Sequence, residues 1–268
     1  MSRLYAVLLE VCLVALSTLL VWWLLEVYLG WLKFWGHLFK ALWVPLILCA
    51  IILSRRSFRD YGFLPRSLRL ALKWSLIFIA TFTLPAIVLI SASVALGAAK
   101  PVGLSPLEIA LNIIWYMVFV GLVEEAYFRG YVQSRLNEIF ERRWHEFIFK
   151  AWKVDWGVSL LLTSMIFALM HIANYWNPLA SRWEPAWYMP IHILGGFAFG
   201  CLAGALREAS GDVYVPSSLH GGLMTAYTFL SIYANELALN ISLFISWFIF
   251  FYMLAIFFHE FESLKFVA

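Results

Sequence analysis

The sequence predicts an all-α protein that consists of a bundle of about eight transmembrane helices. Of its 268 residues, 63% are hydrophobic and 13% are charged. The mean hydropathy is +0.84, far above that of a soluble globular domain. Apolar runs of about 17–25 residues, the length with which a helix crosses roughly 30 Å of hydrocarbon, recur along the chain. We therefore expect a single transmembrane domain over residues 1–268.

Short polar connections separate the apolar runs. The first run is about twice as long as the apolar region of a signal peptide and contains Glu10 and Glu26, so we expect a retained helix. The ends of the third and fourth runs are the least sharp, and seven or nine spans fit the same pattern. The predicted spans cover residues 5–29, 38–54, 70–98, 106–128, 156–175, 187–206, 213–233 and 238–259.

The basic residues are concentrated in two connections. By the positive-inside rule these connections face the cytoplasm, which predicts a multi-pass protein of the cell membrane with both termini cytoplasmic. No nucleic-acid partner is expected. The second connection carries Arg55, Arg56, Arg59, Arg66, Arg69 and Lys73, and the fourth carries Arg135, Arg142, Arg143, Lys150 and Lys153.

The longest polar segment, about residues 134–155, alternates charged with aromatic residues. This alternation is typical of an amphipathic helix at the headgroup boundary. An ordinary basic loop with aromatic residues at the interface fits equally well.

Small residues indicate how two of the spans pack. Gly196, Gly200 and Gly204 recur at every fourth position of the sixth span, so they share one helical face that a neighbouring backbone can approach closely. Pro216 falls in the first turn of the seventh span, where a missing N–H is tolerated. Cys12, located in the first span, is expected to pack as a small apolar residue, as are the cysteines at 49 and 201, because their spacing suits no metal site and no disulfide pairing.

Two glutamates and an arginine lie at the inner end of the fourth span. Charges at this depth cost several kcal/mol unless they are used or paired, so a functional site is the first hypothesis for Glu124, Glu125 and Arg129. Glu125 and Arg129 are four residues apart and can form an ion pair, whereas Glu124 lies about 100° round the helix and stays available to accept a proton from water. A Glu–Arg pair that only fixes a helix interface is the alternative.

Histidines in two other spans could join this carboxylate. Counted from the turn between the fourth and fifth helices, Glu124 and His171 both lie at a depth of roughly 23 Å, since a helix rises 1.5 Å per residue. His220 starts less deep, but a tilted seventh helix would bring it to the same cavity. We expect these three groups to converge, and we expect His192 to be a hydrogen-bonded packing residue.

Such a trio fits more than one chemistry. The carboxylate could act as general base while one histidine orients the water or protonates the leaving amine and the other polarises a carbonyl. Two imidazoles and a carboxylate could also hold a divalent metal, with the second glutamate as base. A proton- or ion-coupled transporter would use the same residue types.

At these residues the chain resembles the CAAX protease and bacteriocin-processing family of intramembrane proteases, which includes the Rce1-type prenyl-protein endopeptidases. That family has a Glu-Glu-x-x-x-Arg motif, matched here by Glu124, Glu125 and Arg129. Its Phe-x-x-x-His motif is matched by Phe167 and His171. The similarity covers about residues 120–225, within an expected catalytic core at about 106–233.

The third family motif, His-x-x-x-Asn, is only half matched. His220 is present, but Met224 stands where the family usually has Asn. Methionine offers no amide hydrogen bond to a developing oxyanion, so a neighbour such as Thr225 would have to substitute, or the chain is a divergent or inactive member.

The resemblance implies hydrolysis of a peptide bond in a membrane-associated or C-terminally tailed protein or peptide. It implies that Glu124 activates the water, that His171 and His220 complete the catalytic site, and that Glu125 and Arg129 hold the helix, with Phe167 and Thr225 in supporting roles. We favour a mechanism without a cofactor; if zinc is used, His171, His220 and Glu124 would hold it. The alternative is a non-enzymatic transporter or bacteriocin-immunity scaffold with the same fold.

Overall fold

The chain is largely helical. The computed structural model describes residues 3–32, 35–54, 56–100, 103–148 and 151–265, so that Arg55 and Lys150 of the basic connections lie outside the described residues. One 3₁₀ turn, His171–Asn174, directly follows the fifth helix, and another covers Pro178–Ala180. The helices are α1 (Arg3–Leu29), α2 (Trp35–Ser54), α3 (Leu68–Ala95), α4 (Pro106–Leu136), α5 (Val158–Met170), α6 (Met189–Ser210), α7 (Tyr214–Tyr233) and α8 (Glu236–Lys265).

Length and composition identify six of these helices, in the part of the chain that the structure describes, as candidate membrane spans: α1, α2, α3, α4, α6 and α8. The segment Val158–Asn174 is a shorter apolar helix. The helix α7 has 20 residues and carries several small and polar side chains. With 77% of the chain helical, the predicted all-α membrane bundle is confirmed. The count of eight spans stays a prediction.

The amphipathic helix considered for residues 134–155 is wrong. The helix α4 ends at Leu136, and a two-stranded sheet of β1 (Trp144–Phe147) and β2 (Trp152–Trp156) follows. The side chains of β2 alternate between aromatic or apolar and charged, which is the period of a strand and not of a helix. Trp144 and Trp156 pack with ring centroids 4.6 Å apart, and His145 bonds Asp155 at 2.7 Å.

The chain forms two compact units, each built from separated segments. The first unit contains Met1–Leu64, Ala126–His145 and Asp155–Glu208, and the second contains Pro65–Glu125, Glu146–Val154 and Ala209–Ala268. The chain passes between them within α4, directly after Glu125. The expected single domain with a catalytic core at about 106–233 stays a prediction.

Aromatic side chains form the interior of the second unit. Trp74 and Phe78 of α3 contact Phe257 of α8, with ring centroids 5.1 and 5.7 Å apart. Phe78 and Phe82 contact Phe250 at 5.5 and 5.6 Å. Such pairs stabilise beyond the area they bury, so this stack holds α3 and α8 together.

In the first unit, the predicted glycine face of α6 packs against α5. A Cβ atom at Gly200 would lie 2.9 Å from the Cβ of Ser164, and one at Gly204 would lie 2.9 Å from Cγ of Leu160. A Cβ at Gly196 would lie 3.6 Å from the Cα of Ala168. The contacts on α5 also recur at every fourth residue, so the two helices approach along matched small faces.

A buried carboxylate joins the ends of α4 and α6. The Glu208 side chain is 3% exposed and binds Arg142 at 2.7 Å. Its Oε1 accepts hydrogen bonds of 2.7 Å from the side-chain amides of Gln133 and Asn137. Asn137 also accepts a hydrogen bond from Ser159. These bonds lie on either side of Leu136, where α4 ends.

Replacing Gly200 with Ala is expected to destabilise the protein by about 1–3 kcal/mol, the usual cost of overpacking, because the new methyl group would lie too close to Ser164. Thermal unfolding in detergent measures the change. Gly195→Ala on the same helix is the matched control, since nothing lies within 4 Å of a Cβ there. Equal melting temperatures for the two variants would contradict close packing of α5 and α6.

Candidate active site

Glu124 and Glu125 form a two-residue α-helical step between two π-helical segments of α4. These segments are Trp115–Val123 and Ala126–Val132. π-Helical turns are rare and are frequently found at functional sites. The estimate that Glu125 pairs with Arg129 assumed regular α geometry, which the segment after Glu125 does not have, and this pairing stays a prediction.

Glu125 lies against the histidine of the seventh helix. Nδ1 of His220 is 2.9 Å from Oε1 of Glu125. The two residues are 0% and 6% exposed. Because a carboxylate only accepts, the imidazole donates from Nδ1, and this hydrogen bond fixes the orientation of the ring. The helix-holding role expected for Glu125 did not include this hydrogen bond with His220. The neighbouring Glu124 is half-buried.

Glycines bring the backbones near this pair close together. A Cβ atom at Gly121 would lie 2.8 Å from the carbonyl oxygen of Ser217 and 3.1 Å from the Cα of Gly221. One at Gly222 would lie 3.1 Å from the Cα of Ile79 in α3. The helix α7 therefore contacts both α4 and α3 closely where His220 is. The Gly-Gly pair directly after His220 is the sequence feature that could have predicted this close approach, and it was not interpreted.

The start of α7 is fixed by a turn. Gly211 has a φ of +76°, a region that favours glycine. Oδ1 of Asp212 accepts hydrogen bonds from the backbone N–H groups of Tyr214 and Val215 at 2.9 and 3.0 Å, which satisfies two donors at the helix end. Pro216 follows within the first turn, as predicted. This anchoring sets the position of His220 along α7.

Phe167 and His171 lie together in the first unit. His171 directly follows the end of α5, and its Nδ1 is 2.8 Å from the carbonyl oxygen of Phe167. A carbonyl accepts, so Nδ1 carries the proton, and Nε2 of the neutral ring is an acceptor. The two rings also pack edge-on with centroids 4.8 Å apart. The imidazole of His171 is half-buried and has one defined tautomer.

Arg129 is fully buried in the same unit. Its Nη2 donates to the carbonyl oxygen of Gly200 at 3.1 Å. Its guanidinium carbon lies 4.7 Å from the centre of the Phe167 ring, a cation–π contact. Phe167 thus contacts the arginine of the first motif and the histidine of the second.

The side chain of Arg182 holds the turn that contains His171. Two short antiparallel strands follow it, β3 (Trp176–Asn177) and β4 (Arg182–Trp183). Nη1 of Arg182 donates to the carbonyl of Asn174 at 2.9 Å, and Nη2 donates to that of Ala173 at 3.0 Å. The same side chain binds Glu26 near the end of α1 at 2.7 Å. Because the last carbonyls of a helical segment need donors, Arg182 stabilises the end of this turn.

His192 has the packing role that the sequence predicted. Its Nδ1 is 2.7 Å from the hydroxyl oxygen of Tyr175. Its ring packs edge-on against that of His171, with centroids 4.9 Å apart.

Thr225 and Met224 occupy the last part of the third motif in the second unit. Thr225 is 8% exposed and Met224 is half-buried. Thr225 lines an apolar cavity of about 560 Å³, together with Met117 and residues of α3. Within the described residues its hydroxyl has no hydrogen-bond partner. A donor is therefore available one position after the methionine.

The fold and these side chains define a multi-pass helical membrane protein with a buried carboxylate–imidazole pair. Residues 106–226 match the sequence model of the family described as type II CAAX prenyl endopeptidase, Rce1-like. The resemblance is thereby confirmed for the segment that holds the two complete motifs and His220 of the third, and it supports a protease of the CAAX intramembrane type. Comparison with curated protein sequences and with solved structures found no match.

The structure places the predicted site residues in two groups. Glu125 and His220 are in contact in the second unit, and Arg129, Phe167 and His171 are in contact in the first. Among the described residues, no group of three or more His, Cys, Asp or Glu side chains is arranged to hold a metal ion. The convergence of the Glu124 carboxylate with both imidazoles stays a prediction.

Replacing Glu125 with Ala is expected to lower the free energy of unfolding by about 1–3 kcal/mol, because the Nδ1–H group of His220 would be buried without its acceptor. Thermal unfolding in detergent measures the loss. Glu141→Ala is the control, since its side chain is 83% exposed. An equally small effect of both substitutions would mean that the Glu125–His220 bond does not stabilise the fold.

Proposed function

We propose that the protein is an intramembrane endopeptidase that cleaves a peptide bond of a membrane-associated or C-terminally tailed substrate, with water activated by a glutamate. The observation that carries this proposal is the buried hydrogen bond between Glu125 and His220, next to Glu124, inside the segment that matches the family. A buried carboxylate and imidazole in a membrane protein are costly to maintain, and an acid–base function accounts for both.

Glu124 is the general base in this mechanism. It takes a proton from water, and the hydroxide formed attacks the carbonyl carbon of the scissile bond. Its half-buried position suits this role, since the base needs contact with both water and substrate. Glu125, which is fully buried on His220, is better suited to hold the imidazole and to stabilise positive charge on it.

The histidines have complementary roles. With Nδ1 bound to Glu125, His220 directs Nε2 at the substrate, where a proton on that atom would polarise the carbonyl oxygen. His171 has Nδ1 bound to a backbone carbonyl, so its Nε2 can accept a hydrogen bond from the water or shuttle a proton to the leaving amine. Thr225 replaces the family asparagine as a donor to the oxyanion, because it follows Met224 directly in the chain and its hydroxyl has no hydrogen-bond partner within the described residues.

Zinc is the alternative to a metal-free site. Both histidines donate from Nδ1 to an oxygen acceptor, which is the arrangement that orients many metal-ligating histidines. His171, His220 and Glu124 would hold the ion, and it would supply a more acidic bound water. We favour the metal-free site, in which Glu125 orients His220 and the Glu124 carboxylate activates the water.

Replacing Glu124 with Gln is expected to lower cleavage at least about 100-fold while the protein still folds, because the amide cannot accept the proton. His171→Ala and His220→Ala should also abolish cleavage. The measurement is the mass shift of a candidate tailed or prenylated substrate incubated with the purified protein. Glu141→Gln and His259→Ala, both at exposed positions, are the matched controls. Full biological effect in the Glu124→Gln variant would instead favour the non-enzymatic transporter or immunity scaffold.

Purified protein is expected to contain far less than one zinc ion per chain and to keep its activity in a chelator, because the proposed mechanism activates water without a metal ion. Elemental analysis measures the zinc. Near-stoichiometric zinc that is lost in His171→Ala, with His259→Ala as control, would overturn the metal-free mechanism but leave the proposed peptidase activity intact.

A further inference from the structure

An arginine-rich cluster lies where α1 begins and where α2 and α4 end. Nε and Nη2 of Arg135 bind the two carboxylate oxygens of Glu10 at 2.9 and 2.5 Å, and Nη1 binds Glu138 at 2.7 Å. Glu138 also accepts hydrogen bonds from Arg3 and Arg56 at 2.8 and 2.9 Å. Three guanidinium groups thus surround two carboxylates, which leaves one positive charge in excess.

The inner and outer members of the cluster differ in exposure. The side chains of Arg135 and Glu138 are 11% and 9% exposed. Those of Arg3 and Arg56 are 63% and 38% exposed. A guanidinium group has five N–H donors, and each outer arginine uses one of them on Glu138. The outer arginines therefore present positive charge and unused donors at the protein surface.

A cavity of about 790 Å³ extends from this cluster between α1 and α2. Its polar end consists of Glu10, Arg135 and Tyr131, whose hydroxyl donates to Glu10 at 2.7 Å. The rest of the wall is mainly apolar. It is formed by Val14, Pro45, Leu46, Cys49, Ala50, Leu53 and Ser54.

The arginine cluster and the apolar wall of the cavity lie at successive positions along the axes of α1 and α2. Along α1, Val14 lies eleven residues beyond Arg3, a distance of roughly 16 Å at 1.5 Å per residue. Along α2, Leu46 lies eight residues before Ser54, roughly 12 Å into the same helix. The guanidinium groups are thus at the helix ends, and the apolar wall extends from there along two candidate membrane spans.

We propose that this cluster and cavity bind one anionic phospholipid. Its phosphate contacts Arg3 and Arg56, and one of its acyl chains occupies the cavity between α1 and α2. The excess positive charge matches a headgroup with net negative charge and not a zwitterionic one. An acidic peptide would match the arginines but would leave the apolar wall without a partner. The binding site is independent of the proposed peptidase activity.

Native mass spectrometry of the full-length protein tests the headgroup, with phosphatidylglycerol and phosphatidylcholine of identical chains competing for the protein. Phosphatidylglycerol should be retained preferentially. The double variant Arg3→Gln/Arg56→Gln should weaken its binding by about fivefold for each arginine removed. Arg69→Gln/Arg143→Gln, at two exposed positions outside the cluster, removes the same charge and should leave binding unchanged. Equal binding of both lipids, or equal loss in both double variants, would overturn the proposal.

A second pair of variants tests the acyl chain. Ala50→Phe places a ring in the cavity and should reduce phosphatidylglycerol retention. Val44→Phe is the control and should not reduce it, because Val44 is 42% exposed and does not line the cavity. Unchanged retention in Ala50→Phe would exclude the cavity as the chain site. Displacement of the lipid by free glycerol phosphate would show that the headgroup alone is recognised, which would also overturn the proposal. Thermal unfolding of each variant confirms that it is folded.

Discussion

The structure depends on the requirement that polar groups inside a membrane protein find partners within the protein. Hydrocarbon offers no hydrogen bonds, and an unpaired charge there costs several kcal/mol. Glu125 meets this requirement with His220, Arg129 with the Gly200 carbonyl, and Glu208 with two amides and an arginine. These bonds connect α4 to α6 and to α7, and they favour the packing in which the buried polar groups face one another.

Glycine makes these bonds geometrically possible. The Glu125 and His220 side chains meet at 2.9 Å because Gly121 and Gly221 allow the backbones of α4 and α7 to come close. Arg129 donates to the carbonyl of Gly200, the residue at which α6 packs closely against Ser164 of α5. Close approach and polar pairing therefore occur at the same places, and a bulkier residue at these glycines would disturb chemistry as well as packing.

Local sequence pattern was sufficient for the helices and for the glycine face of α6, because each is a regular repeat of apolar or small residues. The alternating residues of β2 also carried a strand signal, which the interpretation as an amphipathic helix passed over. The π-helical segments around Glu124 could not be predicted, since apolar periodicity does not distinguish π from α hydrogen bonding over so few residues. The partner of Glu125 was equally out of reach, because it is 95 residues away and is selected by packing.

The Phe-x-x-x-His motif has a physical explanation in this arrangement. Any residue four positions before His171 would offer a backbone carbonyl to Nδ1, so the hydrogen bond alone does not require phenylalanine. An aromatic ring is needed because it packs on the imidazole at 4.8 Å and on the Arg129 guanidinium at 4.7 Å at the same time. An aliphatic side chain could fill the space, but it would lose the attraction between the ring face and the buried cation. Phe167 therefore couples the position of the arginine in the first motif to the orientation of the histidine in the second.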